Sequence, residues 1–363
     1  MTTCAALAAL LLLTAASRRL TRAQGVSTTG AVYTMTDATP NQVVAFSRAA
    51  NGALTLIGNF GTGGNGNSAN LGSQGSIALA PGNQFLFAVN AKSNTISAFS
   101  VQPGGGLLFV NQVSSAGARP ISLTVHGSFL YVANSGGTMQ NIAGFNIAAN
   151  GALSALAGSV RSLSSNKANP AEVAFSNDGT ILVVTEKGTN KIDTFTVSAS
   201  GLATGPLVQD SNGLQPFGFA FDNAGHLIVS EATASAVSSY SVATNGVLTL
   251  ISGSVPDGGK AACWVANTNN STFPTQFSYI SNTGSGTISA YSIATDGSMT
   301  LLAGPTSTAA HPLDMALSAD SQFLYVLGRG SGEIRGYSIS SNGALTNAGN
   351  VTAAKTSRGL AGF

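Results

Sequence analysis

Seven aromatic residues, Phe46, Phe99, Phe145, Phe195, Tyr240, Tyr291 and Tyr337, recur along the chain at intervals of 45 to 53 residues. Each sits in a short run of one kind: NQVVAFSR from Asn41, NTISAFSV from Asn94, NIAGFNI from Asn141, NKIDTFTV from Asn190, SAVSSYSV from Ser235, GTISAYSI from Gly286 and GEIRGYSI from Gly332. Apolar and polar residues alternate around the aromatic, the period of a β-strand. A repeat of this length signals an architecture built from one recurring unit, and it limits the possible folds more than any single motif.

Every run leads into a turn. Asn51-Gly52, Gly104-Gly105, Asn150-Gly151, Ser200-Gly201, Asn245-Gly246, Asp296-Gly297 and Asn342-Gly343 follow within six residues of the aromatic. Such pairs supply the positive φ that tight hairpins demand. A further strand follows, as in Ala53-Leu-Thr-Leu-Ile57, and another precedes, as in FLFAVN from Phe85, FLYVAN from Phe129, ILVVTE from Ile181 and FLYVL from Phe323. Before these lies a fourth, opened by Pro120, Pro170, Pro216 or Pro312 in four of the repeats. Four strands per repeat, seven times over, predict an all-β fold, a seven-bladed β-propeller with four-stranded blades. The repeats begin at a second strand (Ala31-Val-Tyr-Thr-Met) and end on a lone first strand, Arg358–Phe363. The two are expected to complete one blade, so that the C-terminal strand joins the N-terminal blade and closes the ring. Residues 24–363 then form a single domain.

Residues 1–23 read differently. Ala5–Ala16 is an apolar run of twelve, short of the about 20 residues that span a bilayer as a helix. Thr21-Arg-Ala23 follows as a small-residue cleavage site, so residues 1–23 are expected to be a secretory signal peptide, although no basic residue precedes the run. A retained anchor or a misplaced start is the alternative. Cleavage removes Arg18, Arg19 and Arg22 and takes the net charge from +2 to −1. It also removes Cys4 and leaves Cys263 alone, which excludes an intrachain disulfide and a zinc site of four cysteines or of two cysteines and two histidines. The route is consistent with sequons at Asn269, Asn270 and Asn350, usable in a eukaryotic secretory pathway. The chain is expected to be secreted, monomeric and without a membrane span once the signal is gone. With 8% charged residues and no basic cluster beyond the leader, nucleic-acid binding is excluded.

The blade texts LYVANSGG, LLVVTEKGTNKIDTFTV, ACWVAN and YISNTGSGTISAYSI resemble the lactonase-type seven-bladed propeller family, and the resemblance covers residues 28–363. That family includes bacterial 6-phosphogluconolactonases and fungal carboxymuconate-lactonising enzymes, and similarly built secreted fungal proteins catalyse hetero-Diels–Alder ring closure. The resemblance implies ring-opening or ring-closing chemistry without a metal or other cofactor. It also implies a His, Arg and Glu cluster at the channel mouth. Of that cluster only Glu186, within VTEKGTN, matches in place, because His311 lies in a different blade.

In a propeller the loops entering each first strand and leaving each second strand open on one face. Aligned on the proline, the preceding residues are Ser73, Arg119, Asn169, Gln215, Ala261, His311 and Arg358. The ends of the second strands are Thr36, Asn90, Asn134, Glu186, Glu231, Asn282 and Gly328. A third ring reads Ser76, Ser122, Glu172, Gly218, Trp264, Asp314 and Ala361. Three of only four glutamates fall on this face, with His311, Arg119, Arg358 and, just past a second strand, Arg329. His126 and His226 fall on the other. Scarce ionisable groups converging on one mouth suit a binding site.

His311 is the candidate general acid or base, or else a loop histidine bonded to backbone. Arg119 and Arg358 suit an anionic or carbonyl oxygen, or else bridge blades. Glu186 and Glu231 would assist the proton transfer, and Glu186 could instead pair with Lys187 or Arg119. Gln215, Phe217, Trp264, Asn90, Asn134, Asn282 and Arg329 complete the expected substrate contacts, Trp264 with packing between blades as its other reading. Gly61-Thr-Gly63-Gly-Asn-Gly66 matches a dinucleotide fingerprint but precedes no helix. Calcium on the Asn and Glu ring is disfavoured by the blade count, and no GxSxG elbow supports a serine nucleophile. The leading expectation is therefore a metal-independent cyclase or lactonase acting on a small oxygenated molecule. A pericyclic catalyst of secondary metabolism is the alternative, since it needs mainly a shaped apolar pocket with one or two donors. A non-catalytic propeller that binds a polymer through the glycine-rich loop 58–75 is a third.

Overall fold

The computed structural model describes residues 28–269, 272–302, 304–308 and 310–363, so the expected signal peptide and Asn270 lie outside the described residues. Seven antiparallel sheets follow one another around a ring: residues 77–114, 118–162, 170–210, 216–256, 262–307 and 312–352 form the first six blades. The seventh joins Arg358–Gly362 to Thr28–Met35, Gln42–Ala49 and Leu54–Gly61, so the expected closure is present. In the first six blades the strands run from the channel outwards in chain order; in the seventh the last strand of the chain is innermost. In the second and fifth blades the outermost strand is broken in two, Leu153–Ala155 with Arg161–Ser162 and Met299–Leu301 with Thr306–Ser307.

The seven repeat aromatics all lie in third strands and are buried, with at most 4% of their surface exposed. They fill the interfaces between blades, where the apolar sides of two sheets meet. Second-strand tyrosines add a directional contact there. Tyr33 donates to the Gly105 carbonyl at 3.0 Å, Tyr131 to Gly201 at 2.8 Å, Tyr279 to Gly343 at 3.0 Å and Tyr325 to Gly52 at 2.8 Å. Each acceptor is the hairpin glycine of the next blade, and Thr194 reaches Gly246 in the same way at 2.8 Å. The turn that makes each hairpin thus also supplies the carbonyl that locks it to its neighbour.

The register of the closing strand differs from the sequence alignment. Tyr33 pairs with Ala361 as Tyr131 pairs with Thr124, which puts Gly359, not Ala361, in the channel ring beside Ser122. Arg358 accordingly lies two residues deeper than Arg119 in its own blade. The last strand has no proline to mark its start, and first strands carry a bulge that absorbs a residue, as between Pro120 and Ser122.

Gly201 tests the interblade lock. Its φ is +79°, and a Cβ there would stand 2.4 Å from the Phe129 ring. Gly201→Ala is expected to destabilise the protein by about 1–3 kcal/mol through overpacking. Tyr131→Phe is expected to cost about 1 kcal/mol for the lost hydrogen bond. Denaturant titration checks both, and an unchanged midpoint for Gly201→Ala would contradict the proposed lock.

Candidate functional site

The first strands begin on one face, and five of the residues just before them adopt left-handed backbone: Arg119 (φ 55°), Asn169 (46°), Gln215 (61°), Ala261 (58°) and His311 (51°). A turn in the preceding blade clamps four of these. Arg119 N–H donates to Asn94 Oδ1 at 2.7 Å, Asn169 to Gln140 Oε1 at 2.6 Å, Gln215 to Asn190 Oδ1 at 2.7 Å and Ala261 to Ser235 Oγ at 3.0 Å. The corresponding residue before His311 is Gly286, which has no side chain to offer. His311 is held instead by its carbonyl, which accepts from Arg329 N–H at 3.1 Å, and its ring lies against Gly330.

A cavity of about 630 Å³ opens on this face. One side carries the basic residues His311, Arg329, Lys355 and Arg358; the other is apolar, with Phe217, Cys263, Trp264 and Leu313. Among the described residues no Asp or Glu lines it. Arg358 is only 3% exposed, and its Nη1 donates to the Ser357 carbonyl at 2.5 Å and to Lys355 at 3.4 Å. Its Nε is buried without a partner. Burial and Arg329 pull its pKa below the ordinary guanidinium range, while Asp37 and Asp314 oppose them. Arg358 lines the cavity, and a guanidinium on that wall suits an incoming oxygen.

The apolar wall is rigid. Phe217 and Trp264 meet edge to face with ring centres 5.0 Å apart, and Trp264 Nε1 donates to the Ser73 carbonyl at 2.9 Å. Burial pushes the Cys263 thiol up to about 11, which keeps it protonated and poorly nucleophilic. Gln74 spans the channel beneath. Its Nε2 donates to the carbonyls of Phe219 (3.1 Å) and Val265 (3.0 Å), and its Oε1 accepts from Val265 N–H at 2.9 Å. Sequence reading missed Gln74, because nothing in its local text shows that it bridges three blades.

His311, Arg329, Arg358, Phe217 and Trp264 thus come together as expected. Arg119 reaches Ser135 Oγ at 3.0 Å and the carbonyl of Asn70, a cavity-lining residue, at 3.2 Å, so it holds the wall from behind. Gln215 Oε1 accepts from Thr233 at 2.6 Å and stands outside the wall.

The ends of the second strands require a correction: Glu186, Glu231, Asn90, Asn134 and Asn282 are fully buried and do not line the cavity. Each is used in hydrogen bonds within its own blade or to the segment beside it. Asn90 donates to Ser97 at 2.8 Å, Asn134 to Asn141 at 2.9 Å and Asn282 to Ser289 at 2.7 Å. Glu231 accepts from Ser238 and from Ser254, the latter at 2.6 Å, and Glu186 from Ser164 and from Thr189, the latter at 2.5 Å. The partner seven residues on is visible in the sequence and was the signal overlooked. For Glu186 that residue is Asp193, whose carboxyl is raised to about 8 by burial and by Glu186. Glu186 makes no ion pair with Lys187 or Arg119.

The description "Lactonase, 7-bladed beta-propeller" belongs to a family model that matches residues 67–166, 141–266 and 271–358. No curated protein sequence matches this chain. Among solved structures, a candidate 6-phosphogluconolactonase of Bacteroides fragilis is 20% identical with a TM-score of 0.73, over 93% of this chain and 99% of that one. The periplasmic gluconolactonase of Pseudomonas aeruginosa is 18% identical with a TM-score of 0.70, over 91% and 98%. A Staphylococcus aureus virginiamycin B lyase, inactivated by a histidine-to-alanine replacement, is 16% identical with a TM-score of 0.52, over 77% and 85%.

Three further carboxyls are buried. Burial raises Asp314 to about 7, Asp37 to about 6 and Glu172 well above its ordinary value. The folded state therefore keeps protons that the unfolded chain releases near pH 4, so stability is highest below that pH and falls as pH rises towards about 8. Melting temperatures at pH 4.5, 6 and 8 are expected to descend in that order; a rise from 4.5 to 8 would contradict these protonation states.

Proposed function

The chain belongs to the lactonase, seven-bladed β-propeller family, and from that premise we propose that it is a lactonase-like enzyme acting at the mouth of its central channel. The observation that carries this reading is the gathering of Arg358, Arg329 and Lys355 with His311 on the wall of one cavity. In the reaction, Arg358 holds the carbonyl oxygen of a cyclic ester and stabilises the negative charge that develops there. Arg329 and Lys355 hold an anionic substituent. His311 takes the proton of an attacking water and returns it to the ring oxygen as the C–O bond breaks; ring closure is the reverse. Arg119 acts through Asn70, and Glu186 and Glu231 act by holding their blades together. No cofactor is required in this scheme, and the substrate is a small molecule.

The apolar wall of Phe217, Trp264 and Leu313 favours a second reading, a pericyclic ring closure in which Arg358 alone stabilises a developing oxygen charge. Secretion belongs to the proposal on the strength of residues 5–23. The sequon asparagines Asn269 and Asn350 are exposed, the first in a turn on the far face and the second on an outermost strand.

Assay of the purified protein against carboxylated and phosphorylated lactones is expected to find one that is hydrolysed. His311→Ala is expected to lower kcat/KM about 10²–10⁴-fold, and Arg358→Gln about 10²–10³-fold, with melting temperature as the control for folding. Full activity in His311→Ala removes the proton-transfer role. Activity lost with Arg358 but indifferent to His311, on a substrate that cyclises without water, favours the pericyclic reading.

A further inference from the structure

The lining of the cavity changes character with depth. Phe217, Cys263, Trp264 and Leu313 are buried, whereas His311, Arg329 and Lys355 are exposed, so an apolar interior stands below a basic rim. The polar atoms of the interior are already spent. The carbonyls of Phe217, Cys263 and Leu313 accept from Thr185, Ser230 and Ser281, each a second-strand hydroxyl of the preceding blade. Trp264 Nε1 donates to the Ser73 carbonyl at 2.9 Å, and the hydroxyl of Thr283, which also lines the cavity, donates to the Pro312 carbonyl at 2.8 Å. The thiol of Cys263, a weak donor, is the one side-chain group left beside them. At the rim the reverse holds. Arg329 and Lys355 make no ion pair among the described residues, and Asp37 and Asp314 offset part of the charge of Arg358.

We infer that the substrate is an amphiphilic anion, a lactone that carries a carboxylate or phosphate on an aromatic or alkyl body. The body lies against Phe217, Trp264 and Leu313, and the anion stays at the rim with Arg329 and Lys355. That the ligand is a lactone rests on the lactonase-like reading; its amphiphilic character rests on the cavity lining. A sugar lactone of equal charge suits the rim as well, but its hydroxyls exchange water for a wall with no hydroxyl or indole donor to spare, and each one left unpaired weakens binding. An apolar body loses nothing there and gains from leaving water. The volume of about 630 Å³ falls within the range of about 300–1,000 Å³ typical of pockets that enclose a drug-sized ligand, which leaves room for two fused rings.

The test is calorimetric titration of the purified protein with coumarin-3-carboxylate, coumarin and 6-phosphogluconate. Coumarin-3-carboxylate is expected to bind about tenfold tighter than coumarin, which lacks the anion, and about tenfold tighter than 6-phosphogluconate, which lacks the apolar body. It is also expected to quench Trp264, the only tryptophan of the chain. Arg329→Gln is expected to weaken coumarin-3-carboxylate about 2–5-fold and to leave coumarin unchanged. Phe217→Ala is expected to weaken both coumarins about tenfold and to leave 6-phosphogluconate unchanged; should it not fold, the wild-type ratios decide alone. Binding of 6-phosphogluconate or coumarin as tight as that of coumarin-3-carboxylate overturns the inference, and so does binding that leaves Trp264 emission unchanged. Turnover separates the two readings. Hydrolysis of 6-phosphogluconolactone without the expected ranking keeps the lactonase-like activity and overturns this substrate class. The expected ranking with no lactone hydrolysed keeps the amphiphilic ligand and overturns the activity.

Discussion

Thr34 Oγ1 donates to the backbone carbonyl of Arg358 at 3.2 Å, across 324 positions of sequence, and the strands around them pair Val32 with Gly362 and Tyr33 with Ala361. Arg48 Nε reaches the carbonyl of Phe363 at 3.2 Å, and Asp314 accepts from Gly359 N–H at 3.2 Å, so the last strand is gripped from its own blade and from the sixth. Such a contact closes one of the longest loops in the molecule, and its geometry depends on all the blades between its two ends. The fold and the site share this dependence, because the strand that closes the ring also carries Arg358 to the cavity wall.

Few charges stand behind this arrangement. Three ion pairs occur among the described residues, Lys191–Asp210, His226–Asp222 and Arg335–Glu333, and none lies at the cavity. Cohesion rests on buried apolar surface and on neutral hydrogen bonds repeated from blade to blade. A buried polar group is costly unless it is partnered, and the second strands meet that requirement with one device. Their last residue bonds a side chain seven positions on, Asn90 with Ser97, Asn282 with Ser289 and Glu231 with Ser238. In the third blade that position is a carboxyl, Asp193, and burial together with Glu186 raises its pKa to about 8.

The cavity is correspondingly asymmetric. Its cations come from the sixth blade and the closing segment, whereas Phe217, Cys263 and Trp264 come from the fourth and fifth blades. Gln74 crosses the channel below and ties the first blade to the fourth and fifth, which gives the site a floor. A ligand with an anionic end and an apolar body fits both halves without leaving a charge unpaired. Burial maintains the contrast: it keeps Cys263 protonated and leaves Arg358 with a donor that no protein group uses.

Strand period, hairpin glycines and the repeat interval are local properties, so the seven blades, their order and the incomplete first and last repeats were readable from Phe46 to Tyr337 without coordinates. The face carrying His311, Arg329, Phe217 and Trp264 was readable too, because strand direction alternates and the proline marks where each first strand starts. Depth and direction of side chains were not. Glu186 and His311 occupy neighbouring rings in the text, yet one points into its own blade and the other into the cavity, since the pleat and the bulge decide which way each residue faces. The closing register, the bridge made by Gln74 and the burial that leaves Arg358 Nε without a partner arise only when distant blades meet. The sequence alone determined the ring; the tertiary structure decided which of its polar residues hold the ring together and which remain free to bind, because that depends on neighbours hundreds of positions away.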